Sequence, residues 1–215
     1  MDHEAIYRRV FDNNVKWVME KVSDDADFFE RLAKEQLPDF LYIGCADSRV
    51  PANQIMGLEP GDVFVHRNLA NLVVNTDLNA QSVIEYAVEQ LHVKHIVVCG
   101  HYGCGGIAAA MQPRDLGLLN GWLREVRDVY RLHQVELDAI ADPVVRQRRL
   151  VELNIDEQCN NVIKTAAVQR HWLRHGYPVV HGWVYDLHNG LLRDLQFPFE
   201  ARLEQVRRLY RLTLD

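Results

Sequence analysis

The sequence predicts an α/β fold: a mainly parallel β-sheet flanked by helices, with an N-terminal helical arm and a C-terminal antiparallel strand and helix extension. Short apolar runs of strand length recur along the chain, separated by stretches with helical spacing. These runs are too short and too continuously apolar to show alternation, which is how strands covered on both faces read. The 215 residues, 48 % hydrophobic and 25 % charged, suit one domain with a full core.

Residues up to about Lys34 carry helical spacing, with Val10, Trp17, Val18 and Val22 on one side and a break at Ser23-Asp24-Asp25. Pro38 ends that arm, and Phe40 to Gly44 (FLYIG) is the first strand run. Asp62 to His66 (DVFVH) follows the turn Glu59-Pro60-Gly61-Asp62 as the second. Ala80 to Leu91 is helical through Val83, Ile84, Ala87, Val88 and Leu91, and His95 to Gly100 (HIVVCG) is the third strand. After a Gly-rich turn, Ile107 to Met111 reads as helix, and Leu116 to about His175 is mostly helical with an interruption near Asp142-Pro143. Val179 to Leu187 (VVHGWVYDL) is the last main strand, and the turn His188-Asn189-Gly190 joins it to a shorter strand at Leu191 to Leu195. Glu200 onward is charged and amphipathic. No repeat or linker marks a boundary, so residues 1–215 are taken as a single domain with residues 1–34 as its arm.

There are 24 Lys and Arg against 30 Asp and Glu, a formal charge of -6 with the ten histidines neutral. That balance argues against nucleic acid or an anionic membrane as the main partner. No apolar run reaches the roughly 18 residues of a bilayer span, and the N-terminus shows no apolar signal core, so a cytoplasmic location is expected. The four cysteines do not read as a disulfide framework.

Ligands of open α/β sheets bind at the carboxyl ends of the strands. The first run ends in Cys45-Ala46-Asp47-Ser48-Arg49, and the third in His101-Tyr102-Gly103-Cys104-Gly105-Gly106. Two thiols, an imidazole and a carboxylate brought into one crevice match Zn²⁺, which takes thiolate and imidazole in tetrahedral geometry. One close pair, His101 and Cys104, with one distant thiol leaves a fourth position for water or for Asp47, as in catalytic rather than structural zinc sites. The glycines permit a tight loop whose N–H groups could face an anion.

Cys45-x-Asp47-Ser48-Arg49-Val50-Pro51, His66-Arg67-Asn68-Leu69-Ala70-Asn71 and Gly100-His101-x-x-Cys104-Gly105-Gly106 together resemble the β-class carbonic anhydrases. The resemblance runs from about Val10 to Gly182-Trp183-Val184-Tyr185-Asp186. It implies a zinc lyase that interconverts CO₂ and bicarbonate, with Cys45, His101 and Cys104 as the metal ligands. Zinc lowers the pKa of its water from about 15.7 towards about 7, so that hydroxide attacks CO₂. The resemblance further implies that Asp47, paired with Arg49, orients that hydroxide, and that Asp47 released from Arg49 becomes a fourth ligand in a closed form. Gln36 takes the place of an amide that bonds substrate from the other subunit, and the Gly105 and Gly106 backbone lines the substrate pocket. Tyr42, Arg67 and Tyr185 match a regulatory bicarbonate site, with Tyr42 where a Trp is expected. The implied assembly is a dimer that exchanges N-terminal helices, often paired into a tetramer.

Other readings stay open at this point. Arg67 could instead pair with Glu85 or Asp186, and Gln36 could be a solvated loop residue. Cys99 and Cys159 read as structural, Cys99 being turned away from the site by strand alternation. Arg146, Arg148, Arg149, Arg207, Arg208 and Arg211 read as solvated helix faces. A relative acting on another small linear molecule, such as carbon disulfide, or a zinc or thiol sensor, are the rival functions; an intact Asp47 and Arg49 favour the enzyme.

Overall fold

Each apolar run of the sequence forms a strand in the computed structural model, which describes residues 2–210 and 212. The chain divides after Gln36 into two compact units. In the first, α1 (His3–Asp24) starts on an Asp2 cap whose carboxylate accepts from the Glu4 amide at 3.0 Å, and the chain then turns into α2 (Phe28–Lys34). Trp17, Phe28 and Phe29 pack edge to face between them. Helix α1 buries none of its side chains.

The second unit runs β1 (Phe40–Cys45), α3 (Ala52–Met56), β2 (Val63–Asn68), a 3-10 turn (Leu69–Asn71), α4 (Leu78–Glu89), β3 (His95–His101) and α5 (Gly105–Ala110). It continues through α6 (Leu119–Leu132), α7 (Gln134–Asp138), α8 (Pro143–Ile163), α9 (Ala166–His175), β4 (Val179–Asp186), β5 (Leu191–Asp194) and α10 (Phe199–Leu209). The short α3 is an addition to the elements read from sequence, and β2 extends through Arg67 and Asn68. Helix α5 begins at Gly105 rather than Ile107. The interruption expected near Asp142-Pro143 separates α7 from α8, and Asp142 caps α8 by accepting from the Val144 amide at 2.8 Å, with Pro143 in the first turn. The end of the expected C-terminal helix, residues 211 and 213–215, lies outside the described residues.

The sheet order is β2-β1-β3-β4-β5; the first four strands are parallel, and β5 pairs antiparallel with β4. The chain leaves β1 for β2 on one side and later reaches β3 on the other. The carboxyl ends of β1 and β3 therefore flank the point where the winding reverses, the usual place for a ligand crevice. Leu41, Ile43 and Cys45 of β1 and Ile96 and Val98 of β3 join the main core, while Tyr42, Val97 and Cys99 form a second cluster on the opposite face. Among the described residues no helix is long and apolar enough to cross a membrane.

Histidines are packed at the opposite end of the sheet. His95 Nδ1 lies 3.0 Å from His181 Nε2, and His171 stacks among His92, His175 and Tyr177. Burial, then the neighbouring His175, lowers the His171 pKa; burial, then His95, lowers that of His181. The unfolded chain takes up these protons near 6.5, the native one only at lower pH, so stability is lost as pH falls through 6.5. The urea midpoint should accordingly be lower at about pH 5.5 than at about pH 7.5, and equal midpoints would contradict this packing.

Candidate metal centre

Cys45 ends β1, His101 ends β3, and Cys104 follows in the glycine turn that leads into α5. Parallel pairing of β1 with β3 makes the first two neighbours, and Gly103, in the left-handed region at φ 70°, folds Cys104 back beside them. All three side chains are buried, and their donor atoms lie within 4.8 Å of one another; they are the group of this kind found among the described residues.

These donors fit zinc. The two sulfurs are 3.8 Å apart, the separation of about 3.8 Å expected for sulfurs about 2.3 Å from one tetrahedral ion. His101 is 1 % exposed, and its Nδ1 sits 3.1 Å from the Tyr102 carbonyl oxygen, which leaves Nε2 as a buried nitrogen without a partner. A buried imidazole nitrogen facing two thiols is costly unless something binds it. The adjoining Cys104 thiol, more than any other neighbour, favours the Cys45 thiolate despite its burial. Cys45 beside it, and then burial, push the Cys104 thiol up instead.

Asp47 borders the centre. One carboxylate oxygen accepts from the Arg49 amide at 3.0 Å and from Nε at 2.9 Å; the other accepts from the guanidinium at 2.7 Å. That second oxygen is also 3.7 Å from His101 Nε2. Arg49 beside it holds the Asp47 carboxyl far below the usual carboxylate range. Asp47 is therefore an ionised acceptor poised at the rim of the metal site.

Arg67 pairs with neither Glu85 nor Asp186. It donates from Nε to the Cys45 carbonyl at 2.8 Å and from its terminal nitrogen to the Asp47 carbonyl. Asp186 instead holds Arg148 at 3.1 Å, and Glu85 lies 3.9 Å from Arg170. Tyr42 is buried with its ring over Gly44, where a Cβ would overlap it, and burial pushes its phenol pKa up. Tyr185 stands opposite His101 in the β3–β4 register. Gly106 packs so closely that an added Cβ would lie 3.1 Å from Leu69, whereas Gly105 faces open space. Gln36 is exposed at the end of the first unit.

Cys99 lies against Tyr42 and Val97 in the second cluster, apart from the core that holds Cys45 and Cys104, and burial pushes its thiol up to about 12. Cys159 is buried in α8, its thiol 3.5 Å from the His181 carbonyl. The arginines of α8 are not simply solvated: Arg146 donates to the Ile140 carbonyl at 2.9 Å, and Arg149 bridges to Glu152 at 3.1 Å. Arg148 lies 3.6 Å above the ring of Tyr102, the residue after His101. Sequence reasoning also passed over Asn154 and Gln158, buried amides of α8 that bond the loop beside Cys45. Polar residues four apart on an apolar helical stripe were the available signal.

Two cysteine sulfurs and an imidazole at the switch point of a parallel sheet, with an ionised carboxylate at the rim, define a zinc enzyme of the α/β class. The family model described as carbonic anhydrase matches residues 40–192. A carbonic anhydrase of Emericella nidulans is 57 % identical over 210 residues, covering 98 % of this chain and 92 % of the relative. The crystal structure of the β-carbonic anhydrase CafA of Aspergillus fumigatus superposes with a TM-score of 0.91 at 36 % identity, covering 96 % of this chain and 99 % of that one. One of two tetrameric β-carbonic anhydrases from Sordaria macrospora gives 0.86 at 40 % identity, covering 89 % of this chain and 98 % of that one. The chain belongs to the β-carbonic anhydrases. It is a carbonate dehydratase, a lyase that uses zinc.

Proposed function

We propose that the chain hydrates CO₂ reversibly at a zinc ion held by Cys45, His101 and Cys104, with Asp47 orienting the nucleophile and Arg49 holding Asp47. The observation that carries this reading is the Asp47 oxygen 3.7 Å from His101 Nε2 while both carboxylate oxygens are bonded by Arg49. Bound zinc supplies the Lewis acidity that makes hydroxide available near neutral pH. An ionised Asp47 can only accept hydrogen bonds, so it fixes the donor direction of a water or hydroxide beside it and leaves the oxygen lone pair for CO₂. Arg49, through its bidentate grip, keeps that carboxylate away from the metal donors. Released from Arg49, Asp47 would swing among those donors and exclude water.

Arg67 supports a regulatory role for bicarbonate. Its guanidinium braces the Cys45 and Asp47 carbonyls. A bicarbonate held between Arg67, Tyr42 and Tyr185 would draw it off them, and the backbone that carries Asp47 would be freed. For assembly, α1 exposes Ile6, Tyr7, Val10, Phe11, Val15 and Met19, a surface suited to a second copy of the chain. The Sordaria macrospora relatives are described as tetrameric. Gln36, which follows this arm, would then reach substrate in a partner's site.

The test is the CO₂ hydration rate of zinc-loaded protein from neutral to alkaline pH. A steep climb is expected from a centre with two thiolate ligands and a switching Asp47. A shallow single titration would count against the switch, and no turnover at any pH would overturn the proposed reaction.

A further inference from the structure

Tyr102 stands between the two close metal donors, one residue after His101 and two before Cys104. Its carbonyl oxygen lies 3.1 Å from His101 Nδ1. A carbonyl only accepts, so Nδ1 carries the imidazole proton and the lone pair is left on Nε2. The peptide that presents this carbonyl joins Tyr102 to Gly103, which sits at φ 70° and has no Cβ to restrain it. Tyr102 itself is gripped at both ends instead. Its amide donates to the Tyr185 carbonyl at 3.0 Å, and its hydroxyl donates to Glu152 Oε1 at 2.5 Å. The Arg193 guanidinium bonds both that hydroxyl and that carboxylate, and Arg149 donates to Glu152 Oε2 at 3.1 Å. Arg148 lies 3.6 Å above the phenol ring, and Gln147 beside it on α8 donates to the Cys104 carbonyl at 3.2 Å.

A buried phenol needs one partner for its hydroxyl. This one has a carboxylate and a guanidinium, and the carboxylate is itself held by two arginines. That is more than burial of the ring requires. We propose that Tyr102 and Glu152 are positioning residues for the zinc ligand His101. Glu152 clamps the Tyr102 side chain, the Tyr102 carbonyl keeps the imidazole proton on Nδ1, and Nε2 stays aimed at the metal position. Outer partners of this kind fix a ligand's tautomer, its ring plane and its donor strength. Without the bond between hydroxyl and carboxylate, the peptide between Tyr102 and Gly103 is free to turn at the glycine. The carbonyl then leaves the imidazole, and His101 loses both its fixed tautomer and its fixed orientation. The inference rests on His101 being a zinc ligand and names what holds it in place.

The test is zinc affinity, measured on the full chain by competition with a chelator, together with the proton resonance of His101 Nδ1–H. Tyr102→Phe keeps the ring under Arg148 and removes only the hydroxyl. It and Glu152→Ala should each lower zinc affinity by about tenfold and speed exchange of the Nδ1–H with solvent. The double variant should fall no further than either single one, because both break the same link. Tyr130→Phe breaks a tyrosine–carboxylate bond between α6 and α7, to Asp138 at 2.6 Å, and should leave affinity and resonance as in the wild type. A role in packing alone would lower the urea midpoint and leave both readouts unchanged, and that result would overturn the proposal. Should the buried variants not fold, Arg193→Gln on the edge strand β5 decides. It should weaken zinc binding and speed Nδ1–H exchange, and wild-type values would overturn the proposal. Failure of the wild type to bind zinc, with Nδ1–H still protected in the metal-free protein, would instead overturn the zinc reading beneath it.

Discussion

Asp47→Asn should lower the CO₂ hydration rate by about a hundredfold or more while zinc stays bound, the range lost when a positioned acceptor is removed. The substitution keeps the shape and replaces an acceptor-only carboxylate with an amide that also donates. The Arg49 grip loses its charge partner, and both Asp47 oxygens now serve that grip. The amide could present its NH₂ to the nucleophile, turning the oxygen lone pair towards the protein instead of the substrate. None of the three metal donors is touched, since Cys45, His101 and Cys104 form the group by themselves. Metal content and stopped-flow rate measured on the same preparation test this; full activity in Asp47→Asn would show that the carboxylate does not act.

His101→Ala should abolish zinc retention and with it all turnover above the buffer rate. The imidazole is buried, its Nδ1 is fixed on the Tyr102 carbonyl at 3.1 Å, and its Nε2 has no partner within the protein. Without it, two thiols 3.8 Å apart remain, and a catalytic zinc needs about three protein ligands. Elemental analysis after dialysis should find the wild type holding about one zinc per chain and the variant near none. A variant that kept its zinc would mean that the ion sits elsewhere.

The metal donors were legible because each stands at the carboxyl end of an apolar run, and parallel pairing makes such ends converge. The Asp47–Arg49 pair was legible for a local reason: two residues apart on a turn, they can meet without help from the rest of the fold. Arg67 was not, because its partners are the backbone carbonyls of Cys45 and Asp47, and a carbonyl leaves no mark in a sequence. Asn154 and Gln158 required knowing that the left-handed Ala70–Asn71 turn lies against α8, a contact between residues 84 apart in the chain. Arg148 likewise gained its role from Tyr102 beneath it.

The most direct measurement is CO₂ hydration by one preparation taken through zinc-loaded, chelator-stripped and reloaded states. Turnover that disappears with the metal and returns in proportion to zinc bound is the predicted result. A loaded protein, with zinc verified at Cys45, His101 and Cys104, that hydrates CO₂ no faster than buffer would contradict the account.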